Sequence, residues 1–372
     1  MTPPFPRAPA RVAVVLLLGP LVLLATAGGP AHGQVRWEND FRLSYEYDDN
    51  VREDVADNLR ARVARVAVKS DLVLADSGAN RVSLAYQGGF KRYFDVSSDL
   101  DVAGQFIHEG EVAYRRVLRR NVLRLSGAAK HRVWQDESFF VNEDGFTRLS
   151  GGAAATHAFT PTFSGELALG LSGIDFEHVD EVFGYEAQSA GIDLTQRLGD
   201  GMQAHVTYGV EQRTYDGRGK LRGSDDVPSN IFAPDRPRQI DLAHEVGIGL
   251  SFLQPFGFQG RYRYHVNDSN SFGFGYTSHL VNLQLAQELP WRMFAQFYGA
   301  VELRKFRDPI RGLVGALDVE DTDNNVLIFR LLKELNGHAD VEARYARYRN
   351  ESINLNAFYT KNVYSLGFRF RP

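Results

Sequence analysis

Cysteine is absent from the 372 residues, so neither disulfides nor thiolate metal sites are available to the folded chain. A surplus of either charge is missing too. The formal net charge of −4 is small for this length and argues against general nucleic-acid binding, so no nucleic-acid partner is expected. Long apolar runs are confined to one place, Val12–Leu24, which follows Arg7 and Arg11 and leads through small residues to Ala31-His32-Gly33. A positive start, a short apolar core and a small-x-small site read as a cleaved secretory signal over residues 1–33, with Ala25-Thr26-Ala27 as the competing site. Gly19-Pro20 interrupts the run and no stop-transfer charges follow directly, which argues against a membrane anchor. Beyond it the hydrophobic content of 44% is spread without one run of helix-spanning length, and no window sustains apolar residues at three-and-four spacing. If residues 34–372 sit in a membrane, they must do so as strands.

What the chain does hold is glycine and aromatics: 35 Gly, 16 Tyr and 25 Phe, which suit strands, tight turns and aromatic belts. In Tyr364-Ser-Leu-Gly-Phe-Arg-Phe370, the residues Tyr364, Leu366, Phe368 and Phe370 alternate with Ser365, Gly367 and Arg369. That is a strand with one oily and one wet face. The pattern recurs from Trp37 onward and predicts strands over 37–47, 59–75, 81–92, 102–115, 121–134, 146–159, 164–176 and 185–198. It continues over 202–215, 239–252, 258–266, 278–289, 293–306, 326–335, 339–348 and 358–370.

Between them, short turn-forming connections alternate with long polar ones. Asp76-Ser-Gly-Ala-Asn80, Thr160-Pro161-Thr162, Gly199-Asp200-Gly201, Gln254-Pro-Phe-Gly257, Pro290-Trp291 and Asn336-Gly337 are tight-turn chemistries. The longest connections run from Asp216 to Arg238 and from Arg307 to Asn325, and the former is the better candidate to fold inward across a mouth. Short turns alternating with long loops around an even number of strands predict an all-β fold. It would be a transmembrane antiparallel up-and-down β-barrel of about sixteen strands, one domain over 34–372, in the cell outer membrane with both termini in the periplasm. Outer-membrane lipid, lipopolysaccharide and the barrel assembly machinery are the expected partners.

The phase of each strand assigns its faces. Val82, Leu84, Tyr86 and Phe90 oppose Arg81, Ser83, Gln87 and Lys91, and Ile240, Leu242, Val246, Ile248 and Leu250 oppose Asp241, Glu245 and Ser251. Sixteen strands enclose a lumen too wide for side chains to fill, so the wet stripes line it and the oily stripes meet lipid. The expected lumen-lining set is Lys91, Arg124, Lys130, Arg132, Glu211, Arg213, Asp241, Glu245, Arg261, Arg263, Glu302, Arg304, Glu342, Arg344 and Arg369. Glu109, Glu111 and Asp340 join it, Arg65 is expected to turn inward, and His108 and His131 fall on the lipid face. Trp37, Tyr93, Tyr114, Trp134, Phe159, Phe163, Tyr215, Phe256, Trp291 and Phe306 lie near strand ends and read as interfacial girdles.

No catalytic spacing stands out. Gly170-Leu-Ser172-Gly173 is not a nucleophile elbow, Gly217-Arg-Gly219-Lys220-Leu221 lacks the length and the hydroxyl of a phosphate loop, and no His pair has zinc spacing. Asp318, Glu320, Asp321 and Asp323 are oxygen-rich but lack the glycine and terminal glutamate of a calcium loop. No enzyme activity, cofactor or metal is expected. A wall of both signs, interleaved with amides and hydroxyls, suits a polar hydrogen-bonding solute better than a single-charge ion selector.

Tyr45-Glu-Tyr-Asp-Asp-Asn-Val51 resembles the Tyr-Asp-x-Asn-Val stretch that opens a group of outer-membrane β-barrel proteins associated with exopolysaccharide biosynthesis and export. Arg347-Tyr-Arg-Asn-Glu-Ser352 with Tyr364–Phe370 is similar to the closing hairpin of that group, although Arg371-Pro372 follow the aromatic on which the family usually ends. The same ends also resemble the barrel of surface-lipoprotein assembly modifiers, which carry a helical-repeat domain ahead of it. The resemblance implies a porin-like passive conduit for a secreted polysaccharide, with periplasmic polysaccharide export components as partners. A barrel for surface protein translocation or assembly, a general small-solute diffusion porin and a lipid-active barrel enzyme remain the alternatives.

Overall fold

The computed structural model describes residues 35–51, 59–94, 104–134, 145–176, 184–218, 237–254, 256–307, 325–350 and 359–372. The expected signal segment, the acidic run Asp318–Asp323 and the body of the Asp216–Arg238 connection lie outside them. The described residues contain sixteen strands and no helix. The first eight are β1 (Arg36–Asp48), β2 (Ala61–Asp76), β3 (Asn80–Phe94), β4 (Gly104–Leu118), β5 (Asn121–Trp134), β6 (Phe146–Ala158), β7 (Phe163–Phe176) and β8 (Tyr185–Gly199). The others are β9 (Met202–Arg218), β10 (Arg238–Phe252), β11 (Gly257–Ser269), β12 (Tyr276–Leu289), β13 (Met293–Phe306), β14 (Asn325–Asn336), β15 (Ala339–Asn350) and β16 (Tyr359–Phe370). Each pairs with its sequence neighbours, and β1 also pairs antiparallel with β16, so the sheet closes into a barrel. Closure leaves no sheet edge, the condition for strands to cross lipid.

The turn chemistry read from sequence acts locally. Asp76 Oδ1 accepts from the Gly78 backbone N–H at 3.1 Å, and Gly78 and Gly201 take positive φ of 74° and 77°. Thr160 Oγ1 accepts from the backbone N–H groups of Thr162 and Phe163 at 3.2 and 2.9 Å, and Asn336 Oδ1 from that of His338 at 2.9 Å. The β4–β5 turn at Arg119-Arg120 has no such signature in sequence. Arg119 adopts φ 52° without being glycine, because Leu118 and Asn121 pair directly on either side of it.

Several strands run further than their apolar pattern. The β11–β12 ladder continues through Asn267↔Tyr276, past Val266 where the oily stripe ends, because inner-face residues need only be polar to extend a ladder. Register shifts interrupt four ladders, between Val73/Ala75, Arg197/Gly199, Arg238/Ile240 and Glu334/Asn336, and all four lie near strand ends.

Candidate functional site

In an antiparallel ladder, directly opposed residues point to the same side. The closing pair sets the frame, with Phe41↔Phe370, Leu43↔Phe368, Tyr45↔Leu366 and Tyr47↔Tyr364 on one side and Arg42↔Arg369, Ser44↔Gly367 and Glu46↔Ser365 on the other. Followed strand by strand, the first side collects Leu84, Leu169, Ile192, Val206, Ile248, Val281, Leu303, Phe329 and Leu366. They are exposed: Leu169 by 57%, Ile248 by 56% and Leu366 by 62%. An apolar belt encircling a closed sheet is stable only in hydrocarbon, since water would pay no return on that exposed area. The protein is an outer-membrane β-barrel.

The histidines on the belt each have a side-chain partner. His108 and His131 face each other across β4 and β5, both outward as the sequence phase predicts. Tyr86 OH lies 2.8 Å from His108 Nδ1, and Thr147 Oγ1 lies 3.0 Å from His131 Nδ1. The same Tyr–His arrangement recurs at Tyr208–His244 (3.0 Å) and Tyr262–His279 (2.7 Å). An imidazole in lipid needs such a partner because no water supplies one.

No protein-family model matches the chain, and no curated protein matches it. Among solved structures it is similar to OccAB1 of Acinetobacter baumannii, at 10% identity over 92% of this chain and 99% of that one, with a TM-score of 0.48. It is also similar to OmpT of Vibrio cholerae (10% identity, 92% and 99%, TM-score 0.45). A third is a bacterial polysaccharide outer membrane secretin (11% identity, 90% and 97%, TM-score 0.43). Identities this low say nothing about cargo.

The second side of the frame is the inner wall, and the register puts all fifteen candidate residues on it. Lys91 opposes Arg65, Arg124 opposes Arg115, Lys130 opposes Glu109 and Arg132 opposes Ile107. Glu211 opposes Ala243, Arg213 opposes Asp241, and Glu245 opposes His265. Arg261 opposes Asn282, Arg263 opposes Gly247, Glu302 opposes Leu280 and Arg304 opposes Ser278. Glu342, Arg344 and Arg369 oppose Gly367, Ser365 and Asp340.

Many of these charges neutralise one another. Arg213 reaches Glu211 at 2.5 Å, Arg263 reaches Glu245 at 3.2 Å and Arg304 reaches Glu302 at 3.2 Å. Others pair with residues that the candidate set omits: Arg124 with Glu166, Glu342 with Arg330, and Arg369 with Asp40 at 2.6 Å. Arg65 turns inward as expected and meets Glu46 at 3.3 Å. The signal for Asp40, Glu46 and Asp48 was present in β1, where they share parity with one another and oppose Phe41, Leu43, Tyr45 and Tyr47.

The aromatic girdle requires correction. Tyr93, Trp134, Tyr215 and Phe306 face inward, since each has the parity of a lumen charge two residues before it: Lys91, Arg132, Arg213 and Arg304. Position near a strand end does not reveal side; only phase does. At the loop end the inner wall carries three directly opposed ring pairs, Phe146–Phe176, Tyr185–Tyr215 and Tyr276–Phe306, with centroids 6.1, 5.3 and 5.6 Å apart. Lumen cations stack on them: Arg132 lies 4.7 Å from the Phe146 ring, Arg213 5.5 Å from Tyr185 and Arg304 4.4 Å from Tyr276.

One connection at that end packs against the inner wall. Ser271, Phe272, Gly273 and Gly275, between β11 and β12, are buried, and Asn267 on the inner wall donates to Phe274 O at 2.9 Å and to Asp241 Oδ2 at 3.2 Å. Among the described residues no group of three or more His, Asp or Glu side chains could hold a metal ion.

Proposed function

We propose that this porin-like barrel is a passive conduit for the export of a secreted polysaccharide. The observation that carries the proposal is the self-compensated inner wall. Charges that are already paired at 2.5–3.3 Å, as in Arg213–Glu211, Arg263–Glu245, Arg304–Glu302 and Arg65–Glu46, present no strong field of one sign. A permeant ion gains little from such a wall, whereas a polyhydroxylated chain can exchange hydrogen bonds with it along its length. The chain-end resemblances of Tyr45–Val51 and Tyr364–Phe370 point to the same cargo class. No side chain has to react, and the driving force comes from the periplasmic side.

Deletion of the gene should abolish extracellular polysaccharide while leaving uptake of small nutrients intact, and purified protein should conduct in planar bilayers. Undiminished polysaccharide at the surface of the deletion strain would refute the proposal. Capture of a polypeptide client would instead favour protein translocation.

A further inference from the structure

Every large hydrophobic side chain that is exposed at a paired ladder position among the described residues faces the lipid belt, with one exception, Tyr298. Tyr298 stands on the inner wall of β13, 38% exposed to the lumen. It sits in a row of directly opposed inner residues that crosses four strands, Gln259↔Gln284↔Tyr298↔Ile328. At one strand spacing of about 4.8 Å per step, that row is about 14 Å wide.

The rows above and below it are Arg261↔Asn282↔Ala300↔Val326 and Gly257↔Ala286↔Gln296↔Arg330. Three properties of this patch suit an uncharged ligand. It holds no carboxylate. Its small members Ala286 and Ala300 leave the ring face open. Its amides are largely uncommitted: Gln259 and Gln284 are exposed with no hydrogen-bond partner among the described residues, and Asn282 Oδ1 receives only a long 3.5 Å contact from Tyr298 OH. Gln296 Oε1 accepts from Arg330 at 3.2 Å, which leaves its amide nitrogen to donate.

We propose that this patch is a binding subsite for a neutral pyranose ring, with Tyr298 as the stacking platform; the inference rests on the polysaccharide reading above and names its contact point. One face of a pyranose presents axial C–H groups that suit an aromatic ring, and its edge presents hydroxyls that both donate and accept. Amides match that edge because each offers both roles, whereas a carboxylate offers only acceptance. The aliphatic Ile328 beside Tyr298 extends the apolar platform, and the guanidinium of Arg261 adds a donor at the corner. Elsewhere among the described residues the wall offers no exposed ring, and many of its charges are held in their own ion pairs, so a passing glycan would dwell here.

The test is isothermal titration of the detergent-folded full barrel with maltohexaose, a neutral probe, and with an oligogalacturonate of equal length. Maltohexaose should bind, Tyr298→Ala should weaken binding about tenfold, Tyr298→Phe should stay within about threefold, and Gln284→Ala should weaken it about threefold. Heat-modifiable gel mobility verifies folding of each variant, and the lipid-facing Leu303→Ala serves as the control that binds like the parent. Absence of maltohexaose binding to the parent protein, binding of the uronate alone, or undiminished affinity in Tyr298→Ala overturns the subsite. Intact Tyr298-dependent binding in a protein whose deletion spares surface polysaccharide would refute the export reading and leave the subsite standing.

Discussion

Asp40 and Arg369 meet across the closing seam of the barrel, Oδ2 to Nη2, at 2.6 Å. They belong to the first and last strands, 329 positions apart in the chain. Arg42 adds a second contact to the same carboxylate at 3.0 Å, and Arg371 pairs with the neighbouring Asp340 at 2.8 Å. At the other end of the seam Lys361 meets Asp48 at 3.1 Å, and the Asn362 backbone N–H and side-chain amide donate to Asp49 at 2.6 and 2.7 Å. Eight residue pairs join β1 to β16, fewer than the thirteen that join β1 to β2. The seam therefore leans on side-chain contacts at both ends.

Asp40→Asn should weaken closure. It removes a charge that two guanidiniums share, at a cost of about 1.5–3 kcal/mol discounted by lumen water. The temperature at which the folded gel form converts to the unfolded one should fall by several degrees relative to the parent. An unchanged transition would show that the ion pairs are ornamental and that backbone hydrogen bonds alone close the barrel.

Asp49→Ala should act at the outer end only. It leaves two donors of Asn362 without their partner, about 1–3 kcal/mol locally, so amide exchange at Asn362 and Val363 should quicken at least tenfold. Exchange at the far end, around Arg369, should not move. Uniform acceleration along β16 would contradict a local latch.

Leu169→Lys and Ser172→Lys separate the two faces of β7. Leu169 faces lipid near mid-strand and should cost about 2–4 kcal/mol in bilayer folding equilibria, while Ser172 faces the lumen and should cost little. Equal penalties at the two positions would invalidate the assignment of faces throughout the barrel.

Arg124→Gln should leave Glu166 with only Thr156 Oγ1, which donates to it at 2.7 Å. The unmasked carboxylate should move the reversal potential in a salt gradient toward cation selectivity. A shift toward anions would mean that the Arg124–Glu166 pair does not set the local field.

The amino-acid sequence by itself determined the fold class, the strand count and the sidedness of the charged stripes. Period-two alternation is a local property: once Phe368 and Phe370 face outward, Arg369 has no choice but the other side. Turn chemistry was equally legible at Asp76–Asn80 and Thr160–Thr162, where a side chain caps its own neighbours. Parity without register could not tell which charge meets which, so Arg369 was recognised as a wall residue but not as the partner of Asp40. Parity did carry the inward side of Tyr93, Trp134, Tyr215 and Phe306, each two residues beyond Lys91, Arg132, Arg213 or Arg304, but neither the partner of Arg369 nor the exposure of Tyr298 in the lumen could be read from it. Those facts depend on closure and on the stagger of sixteen ladders, which bring distant segments to one height; no local pattern encodes a height, and only the closed barrel fixes it.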